Sequence, residues 1–124
     1  MFKSVLIDTM FPNCPIRNVL SRISDRWTIL IMLTLEAEDK PMRYTDLLAH
    51  IPDISQKMLT VALRNLEADG MVLRQAYAEI PPRVEYCLTD RAKTLIPHLH
   101  SLVNWATENL DAILSDRQAF TTKK

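Results

Sequence analysis

Gln56, Lys57, Thr60 and Arg64 carry side chains that can hydrogen-bond base edges or phosphates, and they share one side of a helical period. The same stretch places Leu59, Ala62, Leu63 and Leu66 at i, i+3, i+4 and i+7, the apolar face of a 3.6-residue repeat. Ser55 stands where an N-cap hydroxyl can accept from a free amide of the first turn. Gly70, the only glycine in the chain, comes after Asp69 where a left-handed residue is wanted to end the helix. A polar helix face is often merely solvated, so the next residues of the chain decide its meaning. Val72, Arg74 and Ala76 alternate with Leu73, Gln75 and Tyr77, and Val84, Tyr86 and Leu88 alternate with Glu85 and Cys87, which is strand period. Between them, Ala78-Glu79-Ile80-Pro81-Pro82-Arg83 must turn, because consecutive prolines cannot extend a central ladder. A helix succeeded by a hairpin is the back half of a winged helix-turn-helix, in which the helix lies in a DNA major groove. Arg83, at the tip or edge of the hairpin, suits a narrow minor groove; the other reading is a surface charge paired with Glu79 or Glu85.

The upstream residues supply the rest of the unit. Met42-Arg43-Tyr44 reads as a short extended piece, and Thr45 to Ile51 as a short helix with Thr45 or Asp46 near its start. Pro52 ends that helix, since a residue before proline avoids the helical region, and Pro52-Asp53-Ile54 turns into Ser55. Trp27 to Ala37 is nearly all apolar and is expected to be a centrally buried helix, capped by Ser24 or Asp25. Cys14-Pro15-Ile16 opens an earlier helix carrying Ile16, Val19, Leu20 and Ile23, with proline where its missing amide costs nothing. Thr89-Asp90 caps a last helix whose apolar stripe runs from Leu95 to Leu114; Pro97 should kink or divide it. The tail Thr121-Thr122-Lys123-Lys124 should fray.

The fold expected is therefore mainly α with a small β-hairpin wing, one winged helix-turn-helix domain over 1–124. Its parts are N-terminal helices at 14–37, the helix-turn-helix at 42–70, the wing at 71–88 and a C-terminal dimerisation helix at 89–115. At 48% apolar residues the chain can build a core, but one this short buries only about two thirds of its surface. The last helix has more apolar surface than one small domain needs. A homodimer is expected, with Ile16, Val19, Leu20, Leu99, Leu102, Val103, Ala106 and Leu110 at its interface.

Net charge is zero, and from Lys40 to Arg91 basic and acidic residues are equal in number. A DNA-binding surface must then come from sorting charges by face. Arg43, Lys57, Arg64 and Arg83 should point one way, and Glu67, Asp69 and Glu85 another. Ser55, Gln56, Lys57, Thr60 and Arg64 are expected at the major groove of double-stranded DNA. No catalytic constellation, phosphate-cradling loop, cofactor site or metal-ligand spacing of His50, His98 and His100 appears, so no enzyme is expected. No apolar run reaches the roughly 18–20 residues of a membrane span, Met1 to Asp8 is too short for a signal peptide, and two distant cysteines make no disulfide framework. The expected location is the cytoplasm.

Several runs resemble the HxlR-type winged helix-turn-helix transcriptional regulators, relatives of the MarR group. They are Cys14-Pro15-Ile16, Arg26-Trp27-Thr28-Ile29-Leu30, Arg43-Tyr44-Thr45-Asp46-Leu47, Ile51 to Thr60, Leu63 to Gly70, Ile80 to Tyr86, and Leu88-Thr89, in the family's order. Ser24-Asp25 stands where the family usually has two glycines, and Glu36 to Lys40 where a turn usually carries one. Both departures bear on the first helix junctions rather than on the reading helix or the wing. The resemblance implies sequence-specific DNA binding by a dimer on a near-palindromic operator. It also marks Cys14 as the family's recurring cysteine, a thiol that in some members senses oxidants or electrophiles. The other reading of Cys14 is a small buried hydrophobe at the dimer interface, and Cys87 reads as packing. Two further readings remain: a small-molecule effector bound at the dimer seam, and a winged-helix protein-interaction module without DNA. The latter would more often show apolar residues at Gln56, Lys57, Thr60 and Arg64.

Overall fold

The computed structural model describes residues 14–122. The expected non-signal segment Met1 to Asp8 and the fraying of Lys123 and Lys124 lie outside the described residues. α1 is a π-wound turn, Ile16–Leu20, that continues as Ser21–Ile23. α2 comes next at Arg26–Glu38, β1 at Met42–Arg43, α3 at Tyr44–His50 and α4 at Gln56–Ala68. β2 spans Val72–Tyr77, β3 spans Arg83–Leu88, and α5 is a single helix over Asp90–Thr122.

Local chemistry explains most boundaries. Asp25 caps α2, its Oδ2 accepting from the amides of Trp27 at 3.1 Å and Thr28 at 3.2 Å. The expected helix starts one residue earlier and ends one later than Trp27 to Ala37. Its apolar sides are not all buried: Ile31, Met32 and Leu35 are in the core, while Leu30 is 42% exposed. A helix apolar all round buries only the faces its neighbours cover. α3 starts at Tyr44, with Asp46 Oδ2 accepting from the Arg43 amide at 3.1 Å. Asp53 takes a left-handed φ of 67° in the turn to α4.

The core joins Ile31, Met32 and Leu35 of α2, Leu47 of α3, Leu59, Ala62, Leu63 and Leu66 of α4, Met42, Val72, and Ala92, Ile96 and Leu99 of α5. Burying each large aliphatic side chain contributes about 1.5–3 kcal/mol, which fixes α4 against α2 and the sheet. β2 and β3 form the expected antiparallel hairpin, Val72 opposite Leu88 and Tyr77 opposite Arg83. β1 adds a third strand in the order β1-β3-β2, with Met42 opposite Tyr86 and Arg43 opposite Glu85. Sequence reading had only an extended piece there.

α5 departs from the expected bounds, and of the two outcomes expected at Pro97 division does not occur. It runs past 115 to Thr122, Thr121 and Thr122 included. Proline removes one hydrogen bond from the helix interior, and the core contacts of Ile96 and Leu99 hold the helix together around it. At 33 residues α5 is roughly 50 Å long, so most of it projects beyond the core. Leu99, expected at a dimer interface, is 3% exposed and belongs to the core of its own protomer. The free apolar surface starts beyond it, at Leu102, Val103, Ala106 and Leu110, all exposed. Ile16, Val19 and Leu20 of α1 are exposed as well.

The end of α4 is a closely tied joint. The Met71 amide donates to Leu66 O at 2.9 Å and the Gly70 amide to Glu67 O at 3.1 Å, a Schellman closure. Gly70 has φ 72°, and a Cβ there would lie 2.5 Å from Arg91 Nη1. Thr89 caps α5 by accepting from the Ala92 amide at 3.2 Å, and its hydroxyl donates to Gly70 O at 2.7 Å. We expect Gly70→Ala to lower the unfolding free energy by about 1–3 kcal/mol. Urea unfolding measures this, and an unchanged midpoint would contradict the joint's role.

Candidate nucleic-acid interface

α4 buries Leu59, Ala62, Leu63 and Leu66 and turns its other sides outward. Ser55 is the N-cap, its Oγ accepting from the Met58 amide at 3.0 Å. That hydroxyl is therefore committed to holding the helix start. Gln56 is exposed, and its carbonyl accepts from Tyr44 Oη at 2.9 Å. Tyr44 Oη also lies 3.2 Å from Thr60 Oγ1. The first residue of α3 thus straps the first two turns of α4, fixing the angle within the helix-turn-helix. Thr60 is half-buried as a result, on the flank rather than the crest of the face.

Lys57 and Arg64 stand on the crest, exposed, and neither has an ion-pair partner among the described residues. Arg64 also borders an open polar cleft of about 400 Å³ between α4 and the sheet, with Tyr44, Thr60, Glu67, Arg74 and Tyr86. Arg74 is a basic residue that sequence reading did not assign. The hairpin register holds the signal: Arg74 pairs opposite Tyr86, two residues from buried Val72, and so shares the sheet face turned toward α4.

The charges are sorted, but not as expected. Asp69 is taken by Arg22, whose Nε lies 2.7 Å from Oδ2. That hydrogen bond, reinforced by the carboxylate's charge, holds the Arg22 guanidinium above its ordinary pKa. Glu85 is engaged by Arg83 at 3.4 Å. Glu67 corrects the expectation, because it borders the same cleft as Arg64 and Arg74. Arg43 is exposed on β1, and by strand alternation it leaves the sheet on the side opposite buried Met42.

Arg83 is folded back on the wing. Its Nε is 2.7 Å from Glu79 Oε2, and its guanidinium stacks 4.0 Å from the Tyr77 ring centroid. The paired reading of Arg83 describes this state, and a groove contact would have to draw it from both glutamates. Cys14 is fully buried, its carbonyl accepting from the Asn18 amide at 2.9 Å, whereas Cys87 is partly exposed; both are free thiols. Among the described residues no three His, Cys, Asp or Glu side chains group as metal ligands, and no helix is long and apolar enough to cross a membrane.

A short helix strapped to a second one, free cations on the second, and a two-stranded wing beside it make a winged helix-turn-helix. A family model for HxlR-like helix-turn-helix domains matches residues 22–114. The chain belongs to the HxlR-like helix-turn-helix family. It is 41% identical over 92 residues to an uncharacterized HTH-type transcriptional regulator of Methanothermobacter thermautotrophicus, covering 74% of this chain and 69% of that one. It superposes with TM-score 0.76 on a putative transcriptional regulator, ytfH, from Salmonella typhimurium, at 35% identity over 88% of this chain and 96% of that one. The reduced form of the redox regulator HypR gives TM-score 0.72 at 36% identity, over 82% and 98% of the two chains. The HxlR-like protein is thus a DNA-binding transcriptional regulator rather than an enzyme, with the fold expected from its sequence.

Proposed function

We propose that this HxlR-like regulator binds a near-palindromic operator as a homodimer, reading it with α4. The observation that carries the reading is the placement of its free cations. Lys57 and Arg64 crest α4 and Arg74 flanks it, none with a carboxylate within ion-pair distance among the described residues. Cations left without partners by the fold are the ones available to phosphates and guanine edges. Gln56 and Thr60 border the same approach, Ser55 contributes by setting the helix start, and Arg43, on the other face of the sheet, is left to flanking phosphates. Arg83 joins when the wing meets DNA and phosphate oxygens replace Glu79 and Glu85.

The dimer is inferred from surface left over. Ile16, Val19 and Leu20 on α1, and Leu102, Val103, Ala106 and Leu110 on α5, are exposed apolar side chains on two elements outside α4. Single exposed apolar residues are ordinary, but a series along one projecting helix is the mark of an interface. Two-fold pairing would present two reading helices about 34–36 Å apart.

The effector reading concerns Cys14. It opens α1, and a solved relative is a redox regulator. Burial means that an oxidant reaches this thiol only when α1 loosens. Peroxide would then pass one oxygen to the thiolate sulfur and leave as hydroxide, and the larger, polar sulfenic acid would disturb the packing beneath the α1 seam.

Arg64→Ala is expected to cost about 1–3 kcal/mol on the specific site and little on random DNA. Lys57→Ala should weaken all sequences alike and lower the salt slope by about 1. Mobility shift across a salt series reads both; unchanged affinity in both variants contradicts the interface. Sedimentation at micromolar concentration should give a dimer mass, and a monomer mass removes the seam. Mild peroxide should lower operator affinity in wild type and not in Cys14→Ser. Affinity indifferent to oxidant would leave Cys14 as packing.

A further inference from the structure

We infer that Val61 reads a thymine of the operator through its C5-methyl group, an inference that rests on the proposed reading of DNA by α4. α4 turns Leu59, Ala62, Leu63 and Leu66 to the core, so at 3.6 residues per turn the ridge farthest from the core runs through positions 57, 61, 64 and 68. Val61 is 47% exposed on that ridge. It comes four residues after Lys57 and three before Arg64, so it lies between the two free cations on the crest. Any duplex that both cations reach must also come against Val61.

The side chain does little for the fold: it borders the groove between α4 and α1 and stays 47% exposed. It is outside the core cluster, and valine is a poorer helix former than alanine or lysine at an exposed position. Its isopropyl group is held stiffly, because one χ1 rotamer dominates for valine in a helix. It therefore presents two methyls at a fixed place without losing side-chain freedom on binding. On the major-groove floor the thymine C5-methyl is the apolar feature that such a group can match. Against a guanine O6 or a cytosine amino group it would exclude water and return no hydrogen bond, which is a cost. The residue thus favours one base and penalises others. Met58, 39% exposed, lies farther round the helix, over the groove between α4 and α1 that Val61 also borders. Burying one methyl is worth about a fourfold change in affinity.

The test uses the full chain. Operator sequences are first selected from a random duplex pool. Each thymine of the selected site is then replaced singly by uracil, which removes only the C5-methyl, and affinities are measured for wild type and Val61→Ala. The expected result is one thymine per half-site whose methyl is worth about fourfold to wild type and nothing to the variant, with the variant's thermal midpoint preserved. Identical uracil profiles for both proteins would overturn the inference while leaving DNA reading by α4 in place. A pool that yields no enriched sequence would overturn the DNA-binding reading itself, and this inference with it.

Discussion

Gly70 is where four elements are tied to one stretch of backbone. Its positive φ lets α4 close on itself through the amides of Gly70 and Met71, and the chain leaves directly into the wing. The Thr89 hydroxyl grips the Gly70 carbonyl, and the Thr89 amide donates to Met71 O at 3.1 Å, so α5 starts from the same point. Arg91 Nη1 holds the Asp69 carbonyl at 3.0 Å, and Arg22 brings α1 to the Asp69 carboxylate. A side chain at position 70 would be strained and would strike Arg91. α4, the wing, α5 and α1 are therefore hydrogen-bonded to one short stretch of backbone. A change in packing at α1 has a short route to the end of α4.

A chain of zero net charge reaches a cationic surface by pairing selectively. Arg22 and Arg83 are neutralised by carboxylates, and so are Asp69, Glu79 and Glu85. Lys57, Arg64 and Arg74 around α4 are among the described cations that have no carboxylate within ion-pair distance. Glu67 beside the latter two tempers that surface. A phosphate approaching this side meets two guanidiniums and one carboxylate, so long-range attraction is modest and contacts at the groove floor must supply much of the specificity.

Much of this was legible in the sequence. The spacing of Leu59, Ala62, Leu63 and Leu66, the cap at Ser55 and the stop at Gly70 specify α4 locally, and the wing is specified by period-two alternation broken by Pro81-Pro82. What escaped depended on tertiary register. Arg74 acquires meaning only once β2 pairs with β3 and lies over α4. Met42 becomes a strand only because β3 offers it an edge. Leu99 looks like seam on a helical stripe, and only the depth of the core along α5 decides which residues of that stripe are already covered. Val61 falls outside the apolar face that the spacing gives, so its exposure was legible, but nothing in the spacing says what it meets. The pairing of the wing arginine was legible as one of two readings, since Glu79 and Glu85 were both candidate partners; that it engages both was not.

The central claim is that the joint at Gly70 holds α4 in fixed relation to the seam helices, so that a dimer offers two reading helices at one spacing. Hydroxyl-radical footprinting of the selected operator tests it most directly. The account predicts two protected patches related by a two-fold axis, their centres about one helical turn or a whole number of turns apart on one face of the duplex. A single protected patch, or two patches whose separation varies from site to site, would contradict it.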